Sequence, residues 1–293
     1  MPSDIPSTDW SVTKTLELFD VAPDGEGRFI ALTGMDADEE RHVVEGTQVL
    51  AQAIVAATKS LSGKSVRSAH AVFSRPIGVE PHVELTVDVV QEGRSVATVI
   101  VTAWQNGRRC AVFTILADVP SEDVIRHHAP RPAVAAPKDA HPSHMPMEGR
   151  EIRLVDVVDV NSPDEFGPPE LHAWLHYDPV PTRDDLAKAL IAHFTGHLSI
   201  STTMRAHHGI GTSQAHYTVS TAPMTVTVSF HELVAWDGWL LYTHESTQVG
   251  AGMSYVRGQV HTEQGELIAS FVQEGLIRPM RQQDTTIEVR SRI

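Results

Sequence analysis

Two histidines, His193 and His197, stand four residues apart in a segment with helical periodicity. On a helix this spacing places both imidazoles on one face, as in many metal sites with nitrogen ligands. However, the glutamate that follows the first histidine in the zinc-protease motif is missing, and no motif elsewhere supplies a third ligand. The sequence therefore predicts no metal site.

Gln273 is a polar residue in a strand pattern whose other residues on the same face are apolar. Leu267, Ala269 and Phe271 alternate towards it, so its carboxamide is expected on the buried face. A buried amide has to be hydrogen-bonded. Gln273 is therefore either a site residue or a structural hydrogen bonder.

Motifs of serine hydrolases and nucleotide-binding proteins are missing. The nucleophile elbow G-x-S-x-G would need a second glycine after Gly252-Met253-Ser254. The string Ser62-Gly63-Lys64-Ser65 looks like the end of a phosphate-binding loop, but the first glycine of that loop would fall at Thr58, inside a predicted helix. The Gly-x-Gly pairs at 209–211 and 250–252 lack the third glycine of a dinucleotide fingerprint.

Composition restricts the classes of partner and compartment. The 293 residues include 23 basic and 37 acidic side chains, a formal charge of −14 that argues against nucleic acid as a main partner. A single cysteine, Cys110, excludes an internal disulfide and a cysteine-rich zinc cluster. The longest strongly apolar stretch, Val96 to Trp104, is far shorter than the roughly 20 residues of a membrane span, and the first residues do not resemble a signal peptide. We expect a soluble, cytoplasmic protein.

The apolar pattern divides the chain into two halves of comparable size. Apolar periodicity stops in a segment rich in proline, histidine and alanine, which is typical of a linker. We predict an N-terminal domain over residues 1–119, a linker over residues 120–149 and a C-terminal domain over residues 150–293.

Each half contains a helical stretch followed by strands. The first helix is predicted over Gly46–Leu61, and the second begins at Thr182, which could form a capping box with Asp185. In the first half a hairpin is predicted around Asn106-Gly107. In the second half four strands are predicted: Met224–Leu233, Trp239–Gln248, Met253–Thr262 and Leu267–Ile277. The repeated order indicates an internal duplication of an α+β unit, one long helix against an antiparallel sheet.

Several strings occur in the same order as in a known family: HVVEGTQVLAQAI, SAHAVFSRPI, WQNGR, AHHGIG, SFHELVAWDGWLLYTHEST and YVRGQVHTEQGELIASFVQEGLIR. Each is weak alone, but the ordered set resembles the type II acyl-CoA thioesterase family from about Leu16 to Arg278. The resemblance implies an α+β double hotdog fold, two tandem helix-wrapped-by-sheet units with the acyl chain between them. It also implies hydrolysis of fatty acyl-CoA to free fatty acid and CoA by direct attack of an oriented water, with no cofactor and no covalent intermediate.

In that family an Asp, a Thr or Ser, and a Gln in the second half orient the water. The Gln corresponds to Gln273, the Asp position carries His197, and the hydroxyl position carries Pro223. Thr221 and Thr225 are each two residues from Pro223 and are expected on its strand face, so a small register shift could bring one of them into the site.

The resemblance gives further residues a possible role. His197 could replace the acidic base, because neutral imidazole can take a proton from water, or it could simply hydrogen-bond within a packed helix. Gly46 and Thr47 open the first helix, where backbone N–H groups could stabilise an oxyanion. Arg75 and Arg257 could bind the phosphates of CoA, with surface solubility as the alternative.

We therefore predict an acyl-CoA thioesterase whose activity the substitutions at 197 and 223 could reduce. The alternative is a catalytically impaired acyl-CoA-binding protein on the same scaffold. A hydratase is a weaker candidate, because the paired Asp and His motif expected there is missing. A homo-oligomer is expected, since hotdog sheets expose edges that often pair.

Overall fold

The structure is a computed structural model, and it describes residues 10–34, 43–143, 145–232 and 236–280. The strands before residue 120 are β1 (Ala22–Pro23), β2 (Arg28–Ala31), β3 (Ser65–Phe73), β4 (Val83–Glu92), β5 (Val96–Gln105) and β6 (Arg108–Asp118). The later strands are β7 (His141–Pro142), β8 (Arg150–Val155), β9 (Glu170–Tyr177), β10 (Val219–Phe230), β11 (Trp239–Gly250), β12 (Met253–Thr262) and β13 (Leu267–Pro279). The helices are α1 (Val12–Phe19), α2 (Gly46–Lys59), α3 (Asp184–Phe194) and α4 (Ser199–Arg205), with 3-10 turns at Pro137–Asp139 and Thr212–Gln214.

The strands form one sheet in the order β1-β2-β4-β5-β6-β3-β10-β13-β12-β11-β9-β8-β7, with antiparallel neighbours throughout. The order is repeated in the two halves. In each, the strand after the central helix (β3 or β10) pairs with the last strand of that half (β6 or β13). β3 and β10 also pair with each other and join the halves in the middle of the sheet. This is the duplicated topology that the sequence predicts.

The sheet wraps around α2 and α3. Every residue of α2 from Thr47 to Ala57 is buried, so this helix is covered on all sides rather than along one stripe. α3 likewise buries Ala187 to Phe194. Apolar side chains of both helices and of the inner sheet face form one hydrophobic core.

The two central helices are antiparallel neighbours. At the start of α2, Thr47 lies against Gly196 just beyond α3, where an added Cβ would come within 2.5 Å of Thr47 Cγ2. At the opposite ends, Lys59 of α2 and Arg183 at the start of α3 both pair with Asp20. The beginning of one helix therefore meets the end of the other.

Most predicted elements are confirmed. The first helix ends at Lys59, two residues before its predicted end, and Asn106 and Gly107 both have the positive φ that their hairpin requires. β10 starts five residues before the predicted Met224; the predicted end of that strand, Leu233, lies outside the described residues.

The start of α3 and the predicted linker differ from expectation. The N-cap of α3 is Arg183 rather than Thr182, and Asp185 binds Arg183 and the Leu186 N–H instead of completing a capping box. Residues 120–149 are not linker throughout, because the two residues of β7 pair with β8. The domain limits at 119 and 150 stay a prediction.

No helix in the described residues combines the length and apolarity that a membrane span requires.

Candidate active site

A carboxylate from the first half meets two imidazoles from the second half where α2 begins and α3 ends. His193 Nε2 lies 3.2 Å from Glu45 Oε2, and His197 Nε2 lies 3.6 Å from the same oxygen. The side chains of His193 and His197 are 2% and 10% exposed, whereas that of Glu45 is 45% exposed. We call these three residues the Glu–His cluster. Its imidazoles are buried, and the Glu45 side chain is partly exposed with its Oε2 turned towards both rings.

Local structure explains why these side chains converge. Glu45 is the N-cap of α2, and it caps the helix with its backbone carbonyl, which accepts from the N–H groups of residues 48 and 49. Its side chain makes no capping hydrogen bond and extends towards α3. His193 packs edge-on against Phe19, with ring centroids 5.2 Å apart, and His197 stacks on Phe194 at 4.8 Å. Both rings are thereby fixed in orientation.

The hydrogen bonding of His197 defines its tautomer. Nδ1 lies 3.2 Å from the backbone carbonyl oxygen of His193, and a carbonyl oxygen only accepts. Nδ1 therefore donates, and Nε2 of the neutral ring is an acceptor. With Glu45 Oε2 only 3.6 Å away, two acceptors stand side by side and could receive both protons of one water.

The cluster shifts the ionisation of its members. Burial lowers the pKa of His197 to about 4; Glu45 opposes this shift, and His193 and Arg150 add to it. Burial alone would raise the pKa of the Glu45 carboxyl, but interactions with His197, His193 and Arg150 hold it well below its usual range. Near neutral pH the cluster thus combines an ionised carboxylate with a neutral imidazole at 197.

Gln273 lies on the inner face of β13, is 2% exposed and is flanked by Val226 and Val256 on the neighbouring strands. Its Oε1 has no hydrogen-bond partner in the part of the chain that the structure describes. The same holds for the buried Ser199 Oγ and for both ring nitrogens of His244. Buried polar groups are normally paired, so water or substrate is the expected partner.

These unpaired groups lie between α4 with its preceding turn and the strands β11 to β13. The His244 ring lies beside the backbone of His197 and edge-on to Phe271, at 5.1 Å, and burial lowers its pKa to about 3. Phe271 is the residue before Gln273 on the inner face of β13. No hydrogen bond joins His197 to Gln273 in the described residues.

A family model described as the acyl-CoA thioesterase N-terminal domain matches residues 38–118, and its C-terminal counterpart matches residues 128–277. This chain belongs to the acyl-CoA thioesterase family. It is 26% identical to acyl-CoA thioesterase 2 of Haemophilus influenzae over 254 residues, 80% of this chain and 87% of that protein. It is also 26% identical to acyl-coenzyme A thioesterase 8 of Mus musculus over 261 residues, 80% of this chain and 79% of that protein.

Solved structures confirm the predicted double hotdog α+β fold. The tesB protein of Mycobacterium avium subspecies paratuberculosis superimposes with a TM-score of 0.78 at 21% identity, covering 92% of this chain and 100% of that chain. A hot dog fold protein of unknown function from Alicyclobacillus acidocaldarius gives 0.74 at 19% identity, covering 92% and 99%.

The threonines expected near the thioesterase site do not share a face. β10 contains a β-bulge between Pro223 and Thr225, so Pro223 pairs with Gly275 on the inner face while Thr225 pairs with Glu274 on the outer face. The Thr225 hydroxyl donates to a carboxylate oxygen of Glu274 at 2.7 Å. The prediction that Thr225 lies on the face of Pro223 is therefore wrong.

Thr221 does lie on the inner face, where it is buried and its hydroxyl is 3.3 Å from His216 Nε2. It pairs with Ile277, four residues along β13 from Gln273. At the rise of an extended strand this is about 13 Å. Thr221 is therefore too far along the strand to share one water with Gln273.

The two predicted phosphate-binding arginines differ in their surroundings. Arg257 lies on the outer face and makes a bidentate ion pair with Glu245, at 2.8 and 2.9 Å, so its guanidinium is already engaged and points away from Gln273. The expectation that it joins the site is not met. Arg75 is exposed on the loop after β3, whose residue Phe73 packs against Gly46.

Gly46 and Thr47 lie beside the Glu–His cluster, because they follow Glu45 at the start of α2. That their N–H groups stabilise an oxyanion stays a prediction. A Cβ at Gly46 would come within 2.9 Å of the Phe73 ring, so close packing requires a glycine there. Sequence reasoning missed Glu45 itself. It stands in the string HVVEGTQVLAQAI that carries the resemblance, but it is separated from His193 by 148 positions, so nothing in the sequence joins the two residues.

Proposed function

We propose that this protein hydrolyses fatty acyl-CoA to free fatty acid and CoA by direct attack of an oriented water. The observation that carries the proposal is the pair of acceptors, His197 Nε2 and Glu45 Oε2, at the start of α2 in a member of the acyl-CoA thioesterase family. The pair stands where the resemblance places the acidic base of the family. The carboxylate comes from the other half of the chain, and His193 Nε2, 3.2 Å away, holds it there.

In the proposed reaction a water donates one O–H to His197 Nε2 and the other to Glu45 Oε2, which leaves its lone pair directed at the thioester. The water oxygen bonds to the carbonyl carbon while one proton passes to the acceptor pair. The N–H groups of Gly46 and Thr47, which have no partner within the helix at its first turn, stabilise the oxyanion. The C–S bond then breaks, and the CoA sulfur leaves with the proton from the acceptor pair. The second proton of the water stays on the fatty acid.

Gln273 is proposed to hold the substrate or a second water. Its buried and unpaired Oε1 supports this role, because a group of this kind is stable only with a partner. Arg75 is proposed to bind a CoA phosphate, since it is exposed close to the start of α2 and its guanidinium has the geometry for phosphate.

We further propose a cytoplasmic homo-oligomer. A single cysteine fits a reducing compartment. Apolar side chains on the surface support self-association, among them Val72 and Val90, 40% and 55% exposed. Light scattering after size-exclusion chromatography would measure the mass, and a monomer at micromolar concentration would contradict this part.

The test is thiol release from short-, medium- and long-chain acyl-CoA, measured with wild type and three variants. His197→Ala is expected to lower kcat by roughly 10²- to 10⁴-fold, the contribution of a positioned base, and Gln273→Ala to lower kcat or raise KM. Arg257→Gln, on the outer face, is the control and is expected to keep wild-type rates. Wild-type protein that binds acyl-CoA but releases it intact would refute hydrolysis and favour the acyl-CoA-binding alternative.

A further inference from the structure

Three possible metal ligands from distant parts of the chain converge in the Glu–His cluster. A carboxylate oxygen of Glu45 and one ring nitrogen each of His193 and His197 all lie within 4.8 Å of one another. Around a tetrahedral zinc ion with ligands at about 2.0–2.2 Å, neighbouring ligand atoms are about 3.3 Å apart. The two separations from Glu45 Oε2, 3.2 and 3.6 Å, are close to that value.

We propose that Glu45, His193 and His197 bind one divalent metal ion of the zinc type, with water at the remaining position. Two histidines and one carboxylate, completed by a water, are the ligand set of catalytic zinc sites. The i, i+4 spacing of the histidines supplies two ligands on one helix face, and Glu45 is the third ligand that the sequence does not reveal. The 45% exposure of Glu45 leaves a route from solvent to the ion.

The hydrogen bonding of His197 favours an ion at this place. Metal-binding histidines usually donate their other ring N–H to a backbone carbonyl or carboxylate, and His197 Nδ1 donates to the His193 carbonyl. This directs the Nε2 lone pair of the neutral ring towards an electron-rich carboxylate oxygen 3.6 Å away. A cation bound to both atoms converts that repulsion into attraction.

Arg150 acts against the ion. Its positive charge interacts with both Glu45 and His197, and one of its terminal nitrogens, Nη2, donates to the Met145 carbonyl at 3.1 Å. Its Nε is buried and has no hydrogen-bond partner among the described residues. Arg150→Met removes the charge while keeping an apolar side chain of similar length. It is therefore expected to tighten metal binding by several-fold.

Metal binding does not depend on the proposed function, but the use of the ion rests on it. With an ion bound, His197 Nε2 and Glu45 Oε2 would be its ligands and no longer the acceptor pair. The ion would then replace that pair in hydrolysis, because catalytic zinc holds and polarises its bound water. His193 would then be a ligand rather than only a hydrogen-bond donor to Glu45, with its proton on Nδ1.

The experiment starts with purified protein stripped by a chelator. Titration calorimetry with Zn²⁺ gives stoichiometry and affinity, and Co²⁺ provides a visible absorption band that reports the ligand geometry. Glu45→Gln, His193→Ala and His197→Ala are each expected to weaken binding by about 100-fold or more, above the roughly 10- to 100-fold effect of a residue that only supports a ligand.

His128→Ala, at an exposed linker histidine, is the control for adventitious binding and is expected to bind as wild type. Circular dichroism checks the fold, and the half-exposed Glu45→Gln preserves side-chain shape if a histidine variant does not fold.

One ion per chain, lost in Glu45→Gln and retained in His128→Ala, supports the site. Binding that is absent, or unchanged in Glu45→Gln, overturns it. Thiol-release assays on stripped and reloaded protein separate the two proposals. Full activity of stripped protein would overturn the use of the ion, whereas an ion bound by the three residues without any turnover would confirm the site and refute the proposed hydrolysis.

Discussion

The two ends of the antiparallel α2–α3 pair differ in how their polar groups are satisfied. Where α2 ends, opposite charges pair closely: Asp20 lies 2.6 Å from Lys59 and 2.7 Å from Arg183, and Lys188 lies 2.9 Å from Asp184. Lys59 also donates to the Val21 carbonyl at 2.7 Å.

Where α2 begins, several polar groups are not matched by a partner of opposite character in the described residues. Glu45 is shared by two imidazoles, His197 offers an acceptor, and the nitrogens of His244, whose ring lies beside the His197 backbone, have no hydrogen-bond partner in the described residues. The duplicated fold supplies two similar helix junctions. They differ in the side chains that stand there: opposite charges pair where α2 ends, whereas acceptors lie side by side where α2 begins. We call the first the closed junction and the second the open junction.

The largest expected effect is that of Glu45→Gln. The substitution keeps the shape but removes the negative charge and one acceptor, so the pair that receives the protons of water is lost. We expect kcat to fall by roughly 10²- to 10⁴-fold, with the fold retained. Thiol-release kinetics and circular dichroism measure both. A variant with wild-type kcat would show that the open junction is not where the reaction takes place.

Asp20→Asn tests the closed junction and should affect stability instead. It leaves Lys59 and Arg183 without their shared carboxylate; because these groups are partly exposed, the loss is expected to be about 1 kcal/mol. For a chain of this size the melting temperature would fall by roughly 2–4 °C. The kcat is expected to stay at the wild-type value, and a large fall would erase the distinction between the two junctions.

The same variant has a defined pH dependence. Burial acts to raise the pKa of Asp20, but hydrogen bonds from Arg183 and Lys59 outweigh it and hold the pKa below its usual value. The stability that ionised Asp20 adds is therefore present above its unfolded pKa of about 3.9 and is lost as the pH falls further. The difference in melting temperature between wild type and Asp20→Asn should shrink in that range. A difference that grows on acidification would contradict the pairing.

Local signals account for the parts of the fold that the sequence predicts well. The apolar pattern of α2 and the Asn106-Gly107 turn are local sequence signals, each contained within one element. The helix and the hairpin are therefore predictable to within two residues. The repeated order of elements extends this to the duplicated architecture, because each half needs its neighbour to bury the same kind of helix.

The site was harder to predict because its geometry is set by contacts between distant segments. Glu45 meets His193 only after the halves pack together, and Arg257 is neutralised by Glu245 because β11 and β12 pair in that register. The bulge before Thr225 moves this side chain to the face opposite Pro223, in line with the alternation of Val226, Val228 and Phe230 with polar residues further along β10. Counting every second residue onto the same face of a strand gives the wrong face across a β-bulge.

Thr225→Val is expected to have the smallest effect and tests the two faces of β10. The hydroxyl bonds to Glu274 on the outer face, so its removal should change the free energy of unfolding by no more than about 0.5 kcal/mol and leave kcat unchanged. Gln273→Ala, on the inner face, should lower kcat or raise KM in the same assay. If Thr225→Val instead lowered kcat as strongly as Gln273→Ala, its hydroxyl would have to lie on the inner face. That result would require β10 to run without its bulge, and the family's hydroxyl would then be retained rather than lost.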